Sequence, residues 1–210
     1  MIIAEDQPAR PLRLGDTAPN FSARSTRGMI RLSDYHGRWL MFFSHPADFT
    51  PVCSTEFVEI ARRQDDFDAL GCALLGLSVD SLYSHIAWVK ALHDVFGVTV
   101  NFPVLEDPSM VIGRAYGMID ENSPDSMTMR STYVIDPEGI VRATTCYPPT
   151  VGRSVEEMLR LIKALQVVSS QEGLAPEGWT EGRPLLALAP EGDTDIAAGA
   201  DWFCHQKEAR

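Results

Sequence analysis

The stretch Trp39-Leu-Met-Phe-Phe-Ser-His-Pro-Ala-Asp-Phe-Thr-Pro-Val-Cys-Ser-Thr-Glu56 holds a strand, a loop and a helix start in succession. Trp39 to Phe43 is a short apolar run, which reads as a strand buried on both faces. The loop Ser44-His-Pro-Ala-Asp48 follows, because Pro46 cannot donate to a ladder. Thr50 suits an N-cap, and Pro51 suits the first helical position, where an N–H would go unpaired anyway. The helix is expected to run to about Leu70 and stop before Gly71. Cys53 then falls at its third position, where unpaired N–H groups and the helix dipole favour an anion. A cysteine placed there is expected to react.

Working outward, Cys72-Ala-Leu-Leu-Gly-Leu-Ser-Val79 reads as a second buried strand. Leu82, Ile86, Val89 and Phe96 keep helical spacing, so 82–96 is an amphipathic helix stopped by Gly97. A strand is expected over 101–105, and Asp107-Pro108 should open a helix ending near Gly117. Residues 131–145 make a hairpin about Asp136-Pro-Glu-Gly139. Residues 154–168 form a helix with Ser154 and Glu157 as a capping box. Residues 1–38, punctuated by Pro8, Pro11, Pro19 and Gly28, read as irregular. Strands alternating with helices, then a hairpin and a last helix, give an α/β sheet with an antiparallel edge. Beyond Gly173 the composition shifts to Pro and Gly, with apolar patches at 185–188 and Trp202-Phe203. The expected division is a domain of 1–172 and a C-terminal extension of 173–210, too short for its own core and suited to dimerisation.

Bulk properties exclude several function classes. A chain of 210 residues with 45% hydrophobic and 22% charged content is that of a soluble globular protein. A net charge of -11 argues against nucleic acid as a partner. No run approaches the roughly 18 apolar residues of a membrane helix. The start Met1-Ile-Ile-Ala-Glu5-Asp6 has acids where a signal peptide has Lys or Arg, so a cytoplasmic protein is expected. Cys53, Cys72, Cys146 and Cys204 lie far apart with no Cys-x-x-Cys, unlike a disulfide scaffold or zinc ribbon. With no His-Glu-x-x-His or phosphate loop, neither a metal nor a nucleotide cofactor is expected.

The run Pro46-x-x-x-Thr50-x-x-Cys53 resembles the signature of peroxiredoxins. The fuller stretch from Ser44 to Glu56 is similar to the 1-Cys, peroxiredoxin-six-type branch of the AhpC/TSA superfamily. The resemblance continues through Gly76-Leu-Ser-Val-Asp80, Arg130-Ser-Thr-Tyr-Val-Ile-Asp136 and Tyr147-Pro-Pro-Thr-Val-Gly-Arg153, covering nearly the whole chain. It implies a thioredoxin fold and a thiol peroxidase without cofactor. Such an enzyme reduces hydrogen peroxide and organic hydroperoxides to water and alcohols through a sulfenic acid on Cys53. An external thiol such as thioredoxin or glutathione then re-reduces it. A homodimer, or a decameric ring of dimers, is implied as well.

The resemblance also implies roles for residues. Arg130 would hold thiolate and peroxide, Thr50 would turn its hydroxyl to the peroxide besides serving as N-cap, and the Pro46 ring would shield the sulfur. Arg153 stands before the Ser154 cap, a helix end that repels cations; a local anion could offset that cost, the alternative being a solvated Arg, and the family places this residue near the active-site cations. In the family Glu56 can pair with such arginines, and His45 is close enough along the chain to contact the site. Cys204 is a candidate resolving cysteine, within the chain or from a partner subunit, alternative to the external thiol. Cys72 is expected to be inert core and Cys146 structural. Lipase chemistry is not supported, because Tyr35-His-Gly-Arg38-Trp39 lacks a serine.

For any thiol, lowering the pKa from about 8.5 to about 6 raises the thiolate fraction at pH 7 at most about thirtyfold. Falling nucleophilicity takes back roughly tenfold. The site must therefore act mainly on the stretched O–O bond and its departing oxygen. Two other readings remain at this level: a holdase or structural assembly, suggested by the apolar tail patches, and a general disulfide oxidoreductase, disfavoured by the lack of Cys-x-x-Cys.

Overall fold

Leu40, Met41, Phe42 and Phe43 are all buried, and they alternate between two apolar layers. The Phe42 ring meets Phe21 and Tyr116 on one face, and Phe43 meets Phe57 and Phe102 on the other. That double burial explains the unbroken apolar run. The computed structural model describes residues 12–119, 125–170, 173–188 and 204–207.

The strand containing these residues is β3 (Trp39–Ser44), after β1 (Ser22–Ser25) and β2 (Gly28–Arg31). Then come α1 (Pro51–Arg62), α2 (Gln64–Ala69), β4 (Cys72–Ser78), α3 (Leu82–Phe96), β5 (Val104–Glu106) and α4 (Val111–Ala115). The strands β6 (Arg130–Ile135) and β7 (Val141–Tyr147) precede α5 (Val155–Ser170), β8 (Leu185–Leu186) and β9 (Gln206–Lys207). Seven strands make one mixed sheet in the order β2-β1-β5-β4-β3-β6-β7. β3 runs parallel to β4, and β4 to β5, while β6 returns antiparallel beside β3. The central sheet with flanking helices is the thioredoxin fold expected above.

Several local expectations change. The segment read as irregular contains the β1–β2 hairpin, turned at Gly28 with φ 97°. The first helix ends at Arg62; the backbone opens at Arg63 before α2, and Gly71 (φ 59°) stops the second piece. Asp107 does accept amides, from Val111 and Gly113 at 3.0 and 2.7 Å, but α4 begins only after Met110. α3 has the expected limits and a different buried face. Its buried side chains are His85, Trp88 and Leu92, whereas Ile86 and Phe96 are about half exposed. Trp88 packs on Phe57 of α1 at 4.5 Å, which fixes that face.

The chain divides into two compact units, 1–155 and 156–210, ahead of the composition change at Gly173. In the second unit Ala164 of α5 clusters with Trp179 and Leu185, and Trp179 Nε1 donates to the Arg183 carbonyl at 2.9 Å. The segment after Gly173 thus shares a small apolar cluster with α5. Trp202 and Phe203 lie outside the described residues.

Phe42 has no exposed surface and touches two aromatic rings. Phe42→Ala is expected to cost about 3–5 kcal/mol, read as a lower urea midpoint with unchanged slope.

Candidate active site

Antiparallel pairing of β3 with β6 brings the end of one strand beside the start of the other, with Phe43 opposite Thr132. The Ser44 hydroxyl donates to the Met129 carbonyl at 2.6 Å and accepts from the Ser131 N–H at 3.3 Å. Arg130, opening β6, is thereby held beside the loop that leads from β3 into α1. Ligands of open α/β sheets bind at this end, outside the carboxyl ends of the parallel strands.

Cys53 is the third residue of α1, as the sequence predicts. Thr50 is at the N-cap, but its hydroxyl donates to the Ala47 carbonyl at 2.8 Å instead of capping. The first-turn N–H groups therefore have no N-cap side chain as acceptor, a setting that favours a nearby anion. Pro46 is buried and Thr50 partly exposed.

Arg130 is almost fully buried, and all its nitrogens are engaged. Nη1 donates to Cys53 Sγ at 3.3 Å and to Glu56 Oε2 at 2.8 Å. Nε and Nη2 both donate to the Pro149 carbonyl, at 3.1 and 2.7 Å. Glu56 lies three residues after Cys53 on α1, hence on the same helix face. Its Oε1 accepts from the Arg153 backbone N–H at 2.7 Å and from Nε at 2.9 Å, and Oε2 accepts from Nη2 at 2.9 Å. Arg153 Nη1 reaches the Ser131 carbonyl and Thr132 Oγ1, both at 3.0 Å, and its guanidinium stands over the Phe43 ring. The anion that Arg153 requires is Glu56.

Burial pushes the Glu56 carboxyl up, but hydrogen bonds and charge from Arg153, then the charge of Arg130, more than reverse this. It stays ionised below the usual range. Two guanidinium groups face one carboxylate, so one positive charge beside the sulfur is left unmatched. A thiolate would match it. Cys53 itself has no exposed surface.

His45 joins a different network. Its Nε2 lies 2.9 Å from Asp48 Oδ1, and its ring stacks on Trp88 and meets Phe57 edge-on. Asp48 and His85 complete this cluster, and the sequence reading missed both. The available signal was a histidine in the first turn of α3, between Leu82 and Trp88. Ligand atoms of His45, Asp48 and His85 lie within 4.8 Å of one another, a spacing a metal ion can also use. Among the other thiols, burial pushes Cys72 up to about 12, so it stays protonated. Cys146 is exposed on the edge strand β7 and accepts from the Ser131 hydroxyl at 3.7 Å, so it is no core residue. Cys204 is exposed beside β9.

Residues 14–144 match the AhpC/TSA family model. The chain is 48% identical over 172 residues to peroxiredoxin 2 of Picrophilus torridus, covering 82% of this chain and 85% of that one. Among solved structures it is similar to a yeast mitochondrial 1-Cys peroxiredoxin studied for thiol resolution via glutathione/thioredoxin systems (TM-score 0.79, 36% identity, 84% and 86% of the two chains). It is also similar to peroxiredoxin 6 of Arenicola marina (TM-score 0.80, 29% identity, 92% and 89%). The chain belongs to the peroxiredoxins of the AhpC/TSA superfamily. It is accordingly a thiol-dependent peroxidase, with a peroxide as substrate, a cysteine intermediate and a thiol as reductant. Among the described residues no helix is long and apolar enough to cross a membrane.

A carboxyl held below its ordinary 4.5 stabilises the fold at pH above 4.5 and loses that contribution as pH falls through the folded value. Glu56→Gln is expected to lower stability at neutral pH by about 3–5 kcal/mol, because two buried cations lose their partner. The variant should also show a shallower acid dependence, checked by urea denaturation at pH 7 and pH 4.

Proposed function

We propose that Cys53 is the thiolate that attacks the peroxide, with Arg130, Thr50 and Pro46 forming its reacting environment. The observation that carries this is the single Arg130 Nη1 shared between Cys53 Sγ and Glu56 Oε2. The sulfur attacks one peroxide oxygen; an S–O bond forms as the O–O bond breaks, and the leaving alkoxide or hydroxide takes a proton. Sulfur is oxidised by two electrons to sulfenic acid, and the peroxide is reduced. Arg130 stabilises charge on sulfur and on the departing oxygen, and the Thr50 oxygen, whose hydrogen is directed to Ala47, presents its lone pairs to the peroxide O–H. Pro46 excludes water. Glu56 and Arg153 hold the Arg130 fork in place, and His45 supports the loop.

An external thiol, thioredoxin or glutathione, then condenses with the sulfenic acid, releasing water, and a second thiol frees Cys53. Likeness to the yeast 1-Cys protein supports this cycle. The exposed thiol of Cys204 favours a second reading, in which it resolves Cys53 itself or across subunits. In this reading the chain acts in the cytoplasm. It acts as a homodimer or a decamer, with 173–210 as a dimerisation segment. Exposed Phe49, Tyr83, Ile86, Val95 and Phe96 support association.

Cys53→Ser should abolish peroxide consumption and Cys72→Ser should leave it intact; the reverse pattern sinks the assignment. Arg130→Gln should slow sulfur oxidation about 100- to 1000-fold, followed by stopped-flow fluorescence. Intact mass after one equivalent of peroxide with a sulfenic-acid trap should place the adduct on Cys53. A Cys53–Cys204 crosslink would instead favour internal resolution.

A further inference from the structure

The peroxidase reading above assigns no role to His85, although it is fully buried on α3. Its Nε2 lies 3.0 Å from the Leu105 carbonyl, and its Nδ1 lies 3.0 and 2.8 Å from the two Asp48 oxygens. Asp48 sits in the loop between Pro46 and Thr50. Its N–H donates to Asp80 Oδ2 at 3.0 Å, and Asp80 is itself held by the Ser78 hydroxyl at 2.7 Å. The next residue, Phe49, has φ 57°, a left-handed conformation that is strained for a bulky residue and persists only where neighbours enforce it. The loop that delivers Thr50 and Cys53 is therefore strained, and Asp48 anchors it.

Counting hydrogens fixes the state of the cluster. A carbonyl only accepts, so His85 Nε2 carries a hydrogen. Burial pushes the Asp48 carboxyl up, but hydrogen bonds from His45 and His85 hold it far below the usual range, so it is a carboxylate and only accepts. His85 Nδ1 must then carry a hydrogen too. The same count puts a hydrogen on His45 Nε2, while burial disfavours a charged His45 ring and leaves Nδ1 bare. Asp80 and Glu106 are the other charged groups around the cluster.

A divalent metal fits this set less well. Bound to His45 Nε2, it would drive the hydrogen to Nδ1, which has no hydrogen-bond partner. Metal-bound histidines almost always donate their second N–H.

We infer that His85 is a positioning residue for peroxide reduction, whose doubly protonated ring locks Asp48 and with it the loop from Pro46 to Thr50. It acts through the loop and touches no substrate. The inference rests on Cys53 being the reacting thiol.

Two measurements test it. In long-range proton–nitrogen spectra of the unmodified protein at neutral pH, His85 should show both ring nitrogens protonated, and His45 a bare Nδ1. A bare nitrogen on His85 overturns the inference, and this readout needs no variant to fold. In stopped-flow work, His85→Gln and Asp48→Asn should each slow Cys53 oxidation by hydrogen peroxide about tenfold to a hundredfold, with re-reduction by dithiothreitol changed less than about twofold. A Gln side chain can reach Asp48 or Leu105 but not both. Unchanged oxidation, or equal loss in both steps, overturns the positioning role. One tightly held zinc per chain that His85→Gln loses would also overturn it, by putting a metal in place of the proton. Activity retained in Cys53→Ser would sink the Cys53 reading while leaving the His85 spectrum as expected.

Discussion

One buried carboxylate organises the end of the sheet at which Cys53 lies. Glu56 binds Arg130 through one oxygen and Arg153 through both, all three side chains being nearly free of solvent. Two buried cations without that anion would be prohibitive, and the anion without them equally so. The trio is stable because each partner has further hydrogen bonds: Arg130 to the Pro149 carbonyl, Arg153 to Ser131 and Thr132. The excess of one positive charge is then directed at the Cys53 sulfur, 3.3 Å from Arg130 Nη1 and able to become negative. Helix geometry makes this possible, because Cys53 and Glu56 are three residues apart on α1.

Much of this was legible in the sequence, for local reasons. A run such as Leu40 to Phe43 can be stable only between two apolar layers, and Thr50-Pro51 marks a helix start whatever the tertiary context. Arg153 before the Ser154 cap pointed to a nearby anion, and the family resemblance offered Glu56 as its partner. The motif from Pro46 to Cys53 named the family, and the match over residues 14–144 agrees.

What stayed illegible depends on contacts between distant segments. The face of α3 is set by Phe57 and Asp48, thirty or more residues away in the chain, so the apolar spacing of Ile86 and Phe96 pointed to the wrong side. Thr50 looked like a cap by residue type, yet the Ala47 carbonyl competes for its hydroxyl hydrogen. β1 and β2 were hidden because such short strands hold few apolar residues. Cys146 read as structural because a strand was correctly foreseen, but not that β7 would lie at the sheet edge.

The Pro149 carbonyl accepts two hydrogens from the same guanidinium that reaches the sulfur. Cys53 and the surface turn at 148–151 are therefore mechanically joined through one rigid planar group. A movement of that guanidinium would be felt both at the buried sulfur and at the exposed turn.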